Sequence, residues 1–195
     1  MTRLTRRQAI QGAATLVGGA LAAGQLTPFL GRVARAADES AEPVFFDETQ
    51  FELLGRIADV MIPETDTPGA TGAGVDYFID LMLEEWASHE RQTRFRLGIE
   101  ALGNALQEDG TAFVDAPADV QLARLRALDA QSFEPTVGHS FYREFKRMLL
   151  FAYYSSEAGA TLELQYEPLI PEYKACEPID DIGRAWFWLG FSHGL

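Results

Sequence analysis

Any chemistry in this chain of 195 residues would have to come from three histidines, one cysteine and 29 carboxylates. A helical, carboxylate-rich protein suggests a di-iron centre, which needs a Glu-x-x-His pair on each of two helices so that both ligands face one metal. Trp86, Thr136 and Gly190 stand three residues before His89, His139 and His193, so the motif does not occur. Glu85 and His89 share a helix face at i, i+4, which reads as a solvated contact before it reads as a ligand pair. Cys176 lies between Ala175 and Glu177, with no helix start to activate its thiol. Ser155-Ser156 sits in a Tyr-Tyr-Ser-Ser-Glu run and not in a Gly-x-Ser-x-Gly elbow. The glycines between Gly69 and Gly74 follow no expected strand, so they form neither a P-loop nor a dinucleotide fingerprint. One cysteine cannot supply the Cys-x-x-Cys-His of haem attachment. Glu84-Glu85 and Asp180-Asp181 are sequence neighbours that point apart. Arg91, Arg94 and Arg96 could meet an anion but read first as a solvated face. No catalytic, cofactor-binding or metal-binding residue is assigned, and the chain reads as one that acts by binding.

Composition narrows the class further. Apolar residues make up 47% and charged residues 23%, ordinary globular values that exclude a disordered chain, a collagen-like repeat and a polytopic membrane protein. The length suits one domain. A formal charge of −13 leaves no global basic footprint, so nucleic acid is not an expected partner. A lone Cys176 rules out a disulfide-stapled scaffold; it is either buried and inert or paired with another chain.

The elements that would position these residues are helices. Asp47 opens the first, with Gln50 as capping-box partner and Phe46 placed for a hydrophobic staple. Its face is Phe51, Leu54, Ala58 and Met61, and Pro63 ends it. Residues 63–74 are loop chemistry throughout, with two prolines and three glycines. A second helix runs from about Val75 to Trp86 on Val75, Phe78, Ile79, Met82 and Trp86, with Asp76, Asp80 and Glu84 off that stripe. The third spans roughly Arg91–Gln107 on Phe95, Ile99, Leu102 and Leu106; Gly98 and Gly103 either weaken it or let a neighbour approach closely. Asp115 and Pro117 start a fourth, carried by Leu122, Leu125 and Leu128. The fifth, about His139–Glu157, is apolar on every side over Met148–Tyr154 and is expected at the centre. After Gly159 no period of 3.6 or 2 is sustained. Residues 141–195 nevertheless hold 12 of the 22 aromatics. Such a tail must be covered, either by its own helices or by another chain. The fold class is thus all-α: a small bundle of about five helices with an extended, irregular, aromatic-rich C-terminal arm.

The N-terminus belongs to none of this. Residues 1–36 hold five arginines and no acid, so the remainder carries 11 basic against 29 acidic residues. From Gln8 to Gly31 no residue is charged, but glycines, Pro28 and glutamines dilute the apolar character. Thr5-Arg6-Arg7-Gln8-Ala9-Ile10 resembles a twin-arginine export signal, although Ala9 replaces the usual Phe and Gln11 the usual Lys. Ala34-Arg35-Ala36 offers small residues at the positions a signal peptidase reads, Ala34 and Ala36. A retained anchor and an ordinary secretory signal are the competing readings. The resemblance implies residues 1–36 as signal peptide, which leaves the helical domain at 37–160 and the arm at 161–195. It also implies the twin-arginine translocase as a partner and a periplasmic location, with membrane association through a complex.

Two further segments carry a second resemblance. Ile57-Ala-Asp-Val-Met-Ile-Pro-Glu-Thr-Asp-Thr-Pro-Gly-Ala70 with Gly74-Val-Asp-Tyr-Phe-Ile-Asp80 is one. Tyr153-Tyr-Ser-Ser-Glu-Ala-Gly-Ala160 with Leu164-Gln-Tyr166, Pro171, Tyr173 and Cys176 is the other. Both resemble the gluconate 2-dehydrogenase subunit 3 family, the small subunit of membrane-bound flavin dehydrogenases; Pro171-Glu172 departs from the family's usual Pro-Gly. The resemblance implies a non-catalytic subunit with no cofactor of its own. Its partner would be an FAD-bearing flavoprotein dehydrogenase of the glucose-methanol-choline type, acting on a sugar, sugar acid or polyol, often with a multihaem cytochrome c as third subunit. The small subunit would stabilise the flavoprotein and carry it out of the cytoplasm. On that view Tyr166, Tyr173, Trp186, Trp188 and Phe191 are the candidate anchors on the partner, and Pro68 and Gly69 of the 63–74 loop come second. The alternatives are a stand-alone periplasmic enzyme and a free-standing ligand-binding protein.

Overall fold

Asp47 starts the first long helix of the computed structural model, which describes residues 29, 31–33, 41–134, 140–164, 183 and 185. The chain divides into two units, Met1–Ala41 and Glu42–Leu195. In the first, Phe29 and residues 31–33 are helical, and Phe29 and Val33 are buried. The second is the helical bundle: α1 (Glu48–Met61), α2 (Val75–Trp86), α3 (His89–Leu106), α4 (Ala118–Ser132) and α5 (Phe141–Ser155). A π-helical turn, Gly159–Glu163, follows α5. Among the described residues there is no strand, so the class is all-α as the periodicity requires. None of the described helices is long and apolar enough to cross a membrane.

The caps follow the sequence in part. The Asp47 carboxylate accepts the Gln50 backbone N–H at 2.8 Å, satisfying one of the orphan donors of the first turn. The capping box does not close: the Gln50 Oε1 is buried without a hydrogen-bond partner. Phe46 is buried, but its ring meets the edge of Phe45 at 4.7 Å, while Phe51 packs on Tyr77 at 5.0 Å. Ser88 caps α3 through the Arg91 N–H, so the helix begins at His89, two residues before the expected start.

The core comes mainly from Leu54 and Ile57 of α1, Ile79 and Leu83 of α2, Phe95, Ile99 and Leu106 of α3, and Phe145 and Leu149 of α5, all fully buried. Each such side chain contributes about 1.5–3 kcal/mol of burial. Gly98 and Gly103 serve close approach: a Cβ at Gly98 would lie 2.5 Å from the Phe141 ring, and one at Gly103 would lie 2.9 Å from the Leu53 side chain.

Three expected faces are corrected. On α2, Trp86 is exposed, whereas Asp76 and Asp80 are buried. On α4 only Leu125 of the three leucines is buried; Gln121 goes inward because its amide donates to the Phe113 and Val114 carbonyls, at 2.8 and 3.2 Å. On α5, Tyr142, Phe145, Met148, Leu149, Ala152 and Tyr153 are buried, but Phe151 and Tyr154 face solvent, so this helix is central on one side only. Beyond Gly159, where no period of 3.6 or 2 is sustained, residues 159–163 form the π turn.

Candidate functional site

The loop between α1 and α2 is built from its own backbone. Pro63 ends α1, and the chain folds back so that the Ala70 N–H reaches the Ile62 carbonyl at 2.9 Å. Asp59, one turn earlier on α1, accepts both the backbone N–H and the hydroxyl of Thr71 at 2.9 Å. Val75 then bonds back to Ala70 at 3.1 Å and starts α2. Gly69 is buried where the two arms of the loop cross. A Cβ there would sit 2.8 Å from the Glu64 backbone nitrogen and 3.1 Å from the Ile62 oxygen. Outside this crossing lies a cleft of about 390 Å³, lined by Glu64, Thr65, Asp66, Thr67 and Pro68 among others.

The end of α5 latches onto this loop. The Tyr153 hydroxyl donates to the Pro68 carbonyl at 3.0 Å across 85 residues of chain, and the Thr67 hydroxyl donates to Glu163 in the π turn. Burial, with the Glu163 carboxylate and Tyr154 nearby, pushes the Tyr153 hydroxyl above its ordinary value. It therefore stays protonated and able to donate. The two segments that carried the family resemblance thus meet in one place.

Beneath the loop, α2 holds two buried acids that its apolar stripe did not reveal. Asp80 accepts three consecutive backbone N–H groups, from Val44 at 2.7 Å, Phe45 at 3.0 Å and Phe46 at 2.9 Å. That carboxylate ties the approach to α1 onto α2. Asp76, one turn earlier, is held only by the neighbouring Tyr77 N–H at 3.0 Å among the bonds that cross to another residue. Its carboxyl is raised from 3.8 to about 6, chiefly by burial and further by the like charges of Asp59 and Asp80, against the lowering pull of the Tyr77 N–H. The available sequence signal was an acid at the second position of α2 and another four residues on, one turn apart and so on one side of the helix.

The remaining candidates fall as follows. Pro68 is half-buried with its carbonyl taken, and Gly69 is buried, so both act first within the chain. Arg91 and Arg94 pair with Glu144 at 3.5 and 3.1 Å, and Arg96 lies over the Phe45 ring at 4.2 Å. Those three arginines therefore brace helices. His89 meets Gln92 at 3.2 Å. Among the described residues no group of three or more metal-ligating side chains comes together. Arg6, Arg7, Ala34, Ala36, His139, Tyr166, Tyr173, Cys176, Trp186, Trp188, Phe191 and His193 lie outside the described residues.

Residues 48–171 match the family model described as gluconate 2-dehydrogenase subunit 3. The match spans more than half of the chain, which therefore belongs to that family. No curated protein and no solved structure matches it.

Proposed function

We propose that this chain is the small, non-catalytic subunit of a dehydrogenase complex, binding and stabilising an FAD-dependent flavoprotein of the glucose-methanol-choline type. The observation that carries this is the match of residues 48–171 to a family described as a dehydrogenase's third subunit. The complex oxidises a sugar, sugar acid or polyol, with FAD in the partner and haem c in a third subunit where one is present. Residues 1–36 add an address: the Arg6-Arg7 pair leads both proteins through the twin-arginine route to the periplasm, and the Ala34–Ala36 site releases the signal. That route moves folded proteins, which suits a partner that has already bound its flavin.

The test is affinity purification of the C-terminally tagged chain from its native cells, followed by an absorbance spectrum. A co-purifying larger protein with flavin bands is the expected result, and Arg6→Lys with Arg7→Lys should strand both proteins in the cytoplasm. A colourless single chain obtained under gentle conditions would overturn the subunit role, and normal export of the flavoprotein would overturn the carrier role.

A further inference from the structure

One side of α5 stays uncovered by the bundle. Arg147, Phe151 and Tyr154 fall at i, i+4 and i+7 and are all exposed, so they form one stripe along the helix. Phe151 is 57% and Tyr154 39% exposed. Both rings are braced from behind, Phe151 by buried Phe78 at 6.1 Å and Tyr154 edge-on by Tyr153 at 5.4 Å. Arg147, at the far end of the stripe, makes no ion pair among the described residues.

The chain itself supplies a matching segment. α5 leads into the π turn, Gly159–Glu163, where Thr67 holds Glu163, and the continuous described chain ends at Leu164. Gln165-Tyr-Glu-Pro-Leu-Ile-Pro-Glu-Tyr173 comes next. Its Pro168-Leu-Ile-Pro171 is a Pro-x-x-Pro sequence, which favours the extended polyproline II form. Such a stretch is ordered in advance and docks on aromatic-lined surfaces at low entropic cost. The flanking acids, Glu167 and Glu172, suit a stripe whose charged member is Arg147. Reach is sufficient, because the 15 residues of α5 make about 22 Å of helix and nine residues of polyproline II span about 28 Å.

The tether decides between occupants. A ligand joined through a few residues meets its site at an effective concentration in the millimolar range, ahead of a second copy or a separate subunit. The family match, 48–171, also takes in Pro168 and Pro171 with the helices as one unit.

We propose that residues 165–173 fold back on α5 and cover its Phe151–Tyr154 stripe, with the Pro168–Pro171 stretch on the rings and the flanking acids toward Arg147. The assignment gives Tyr166 and Tyr173 to this chain's own bundle and leaves Trp186, Trp188 and Phe191 as the candidate anchors on a partner. It stands or falls independently of the subunit role.

The test uses the full, tagged chain with a benzophenone amino acid in place of Phe151. After irradiation its cross-links should map within residues 165–173, with no rise in mass on a denaturing gel. The same group at exposed Glu100 of α3 is the control and should not reach that segment. Cross-links from position 151 to a larger protein or to a second copy overturn the assignment, and so does the absence of any to 165–173. Thermal melting gives a second readout. Phe151→Ala with Tyr154→Ala, and Leu169→Ala with Ile170→Ala, should each lower Tm by about 3 °C or more, beyond the effect of ordinary surface changes. Both pairs break one contact, so the fourfold variant should fall no further than the worse of the two. Fully additive falls, or no fall in the Leu169 and Ile170 pair, overturn the assignment. Should the aromatic pair lose helicity, the cross-link decides alone.

Discussion

Asp80 is 1% exposed and satisfies three backbone donors with two carboxylate oxygens. Removing it strands N–H groups in a place water reaches poorly, at about 1–3 kcal/mol for each buried donor. Asp80→Ala should therefore cost about 3 kcal/mol or more and lower Tm by about 10 °C, measured by thermal circular dichroism. Asp80→Asn should fall in between, because one oxygen becomes a donor facing donors; wild-type stability in the Ala variant would show the bonds to be dispensable. Asp76 has the opposite sign. Its carboxyl titrates near 6 when folded and near 3.9 when unfolded, so between those values the folded state binds more protons. Stability contributed by the protonated form is full below pH 4 and is lost as pH rises through 6, by about 3 kcal/mol at most. Asp76→Asn keeps an acceptor for the Tyr77 N–H and has no charge to bury. It should be more stable than wild type at pH 7.5, with the gap narrowing toward pH 4.5; a gap independent of pH would remove titration of Asp76 as its cause.

At the scale of elements, α2 was legible to the residue, because the loop glycines end at Gly74 and the Val75-Phe78-Ile79-Met82-Trp86 spacing marks the helix that follows. The inward Asp76 and Asp80 were not legible. Helical periodicity identifies a face but does not register which backbone donors the rest of the chain brings to it. The same lack explains Gln121 on α4, whose burial depends on the Phe113 and Val114 carbonyls. Met148–Tyr154 misled by composition: an all-apolar run implied burial on every side, while the bundle covers only one side of α5. The π turn was missed because a five-residue turn has too few positions to show a period. Its requirement is visible in Gly159, where a Cβ would lie 2.1 Å from the Tyr153 oxygen and 2.9 Å from the Tyr154 Cα. Backbone atoms cannot yield as a side-chain tip can. Gly159→Ala should thus cost about 2 kcal/mol or more and release the turn from the 63–74 loop. Gly103→Ala meets only the Leu53 side chain and gains about 1 kcal/mol of helix propensity. Equal melting temperatures for the two variants would show that the turn readjusts freely.

For the whole molecule, the question is which part of the chain makes the domain and which part serves the complex. The largest fully buried side chains of the described residues all lie between Phe45 and Tyr153. The long-range ties at Asp80–Phe46, Tyr153–Pro68 and Thr67–Glu163 close by residue 163. Residues 179–195, which bring Trp186, Phe187, Trp188 and Phe191, lie outside the described residues except for 183 and 185. A segment with that many large rings must be covered, by its own bundle or by another protein. On the subunit role proposed above, deleting residues 179–195 should abolish retention of the flavoprotein while far-ultraviolet circular dichroism and cooperative melting persist. If the deletion instead melts the helices, the aromatic tail belongs to the fold.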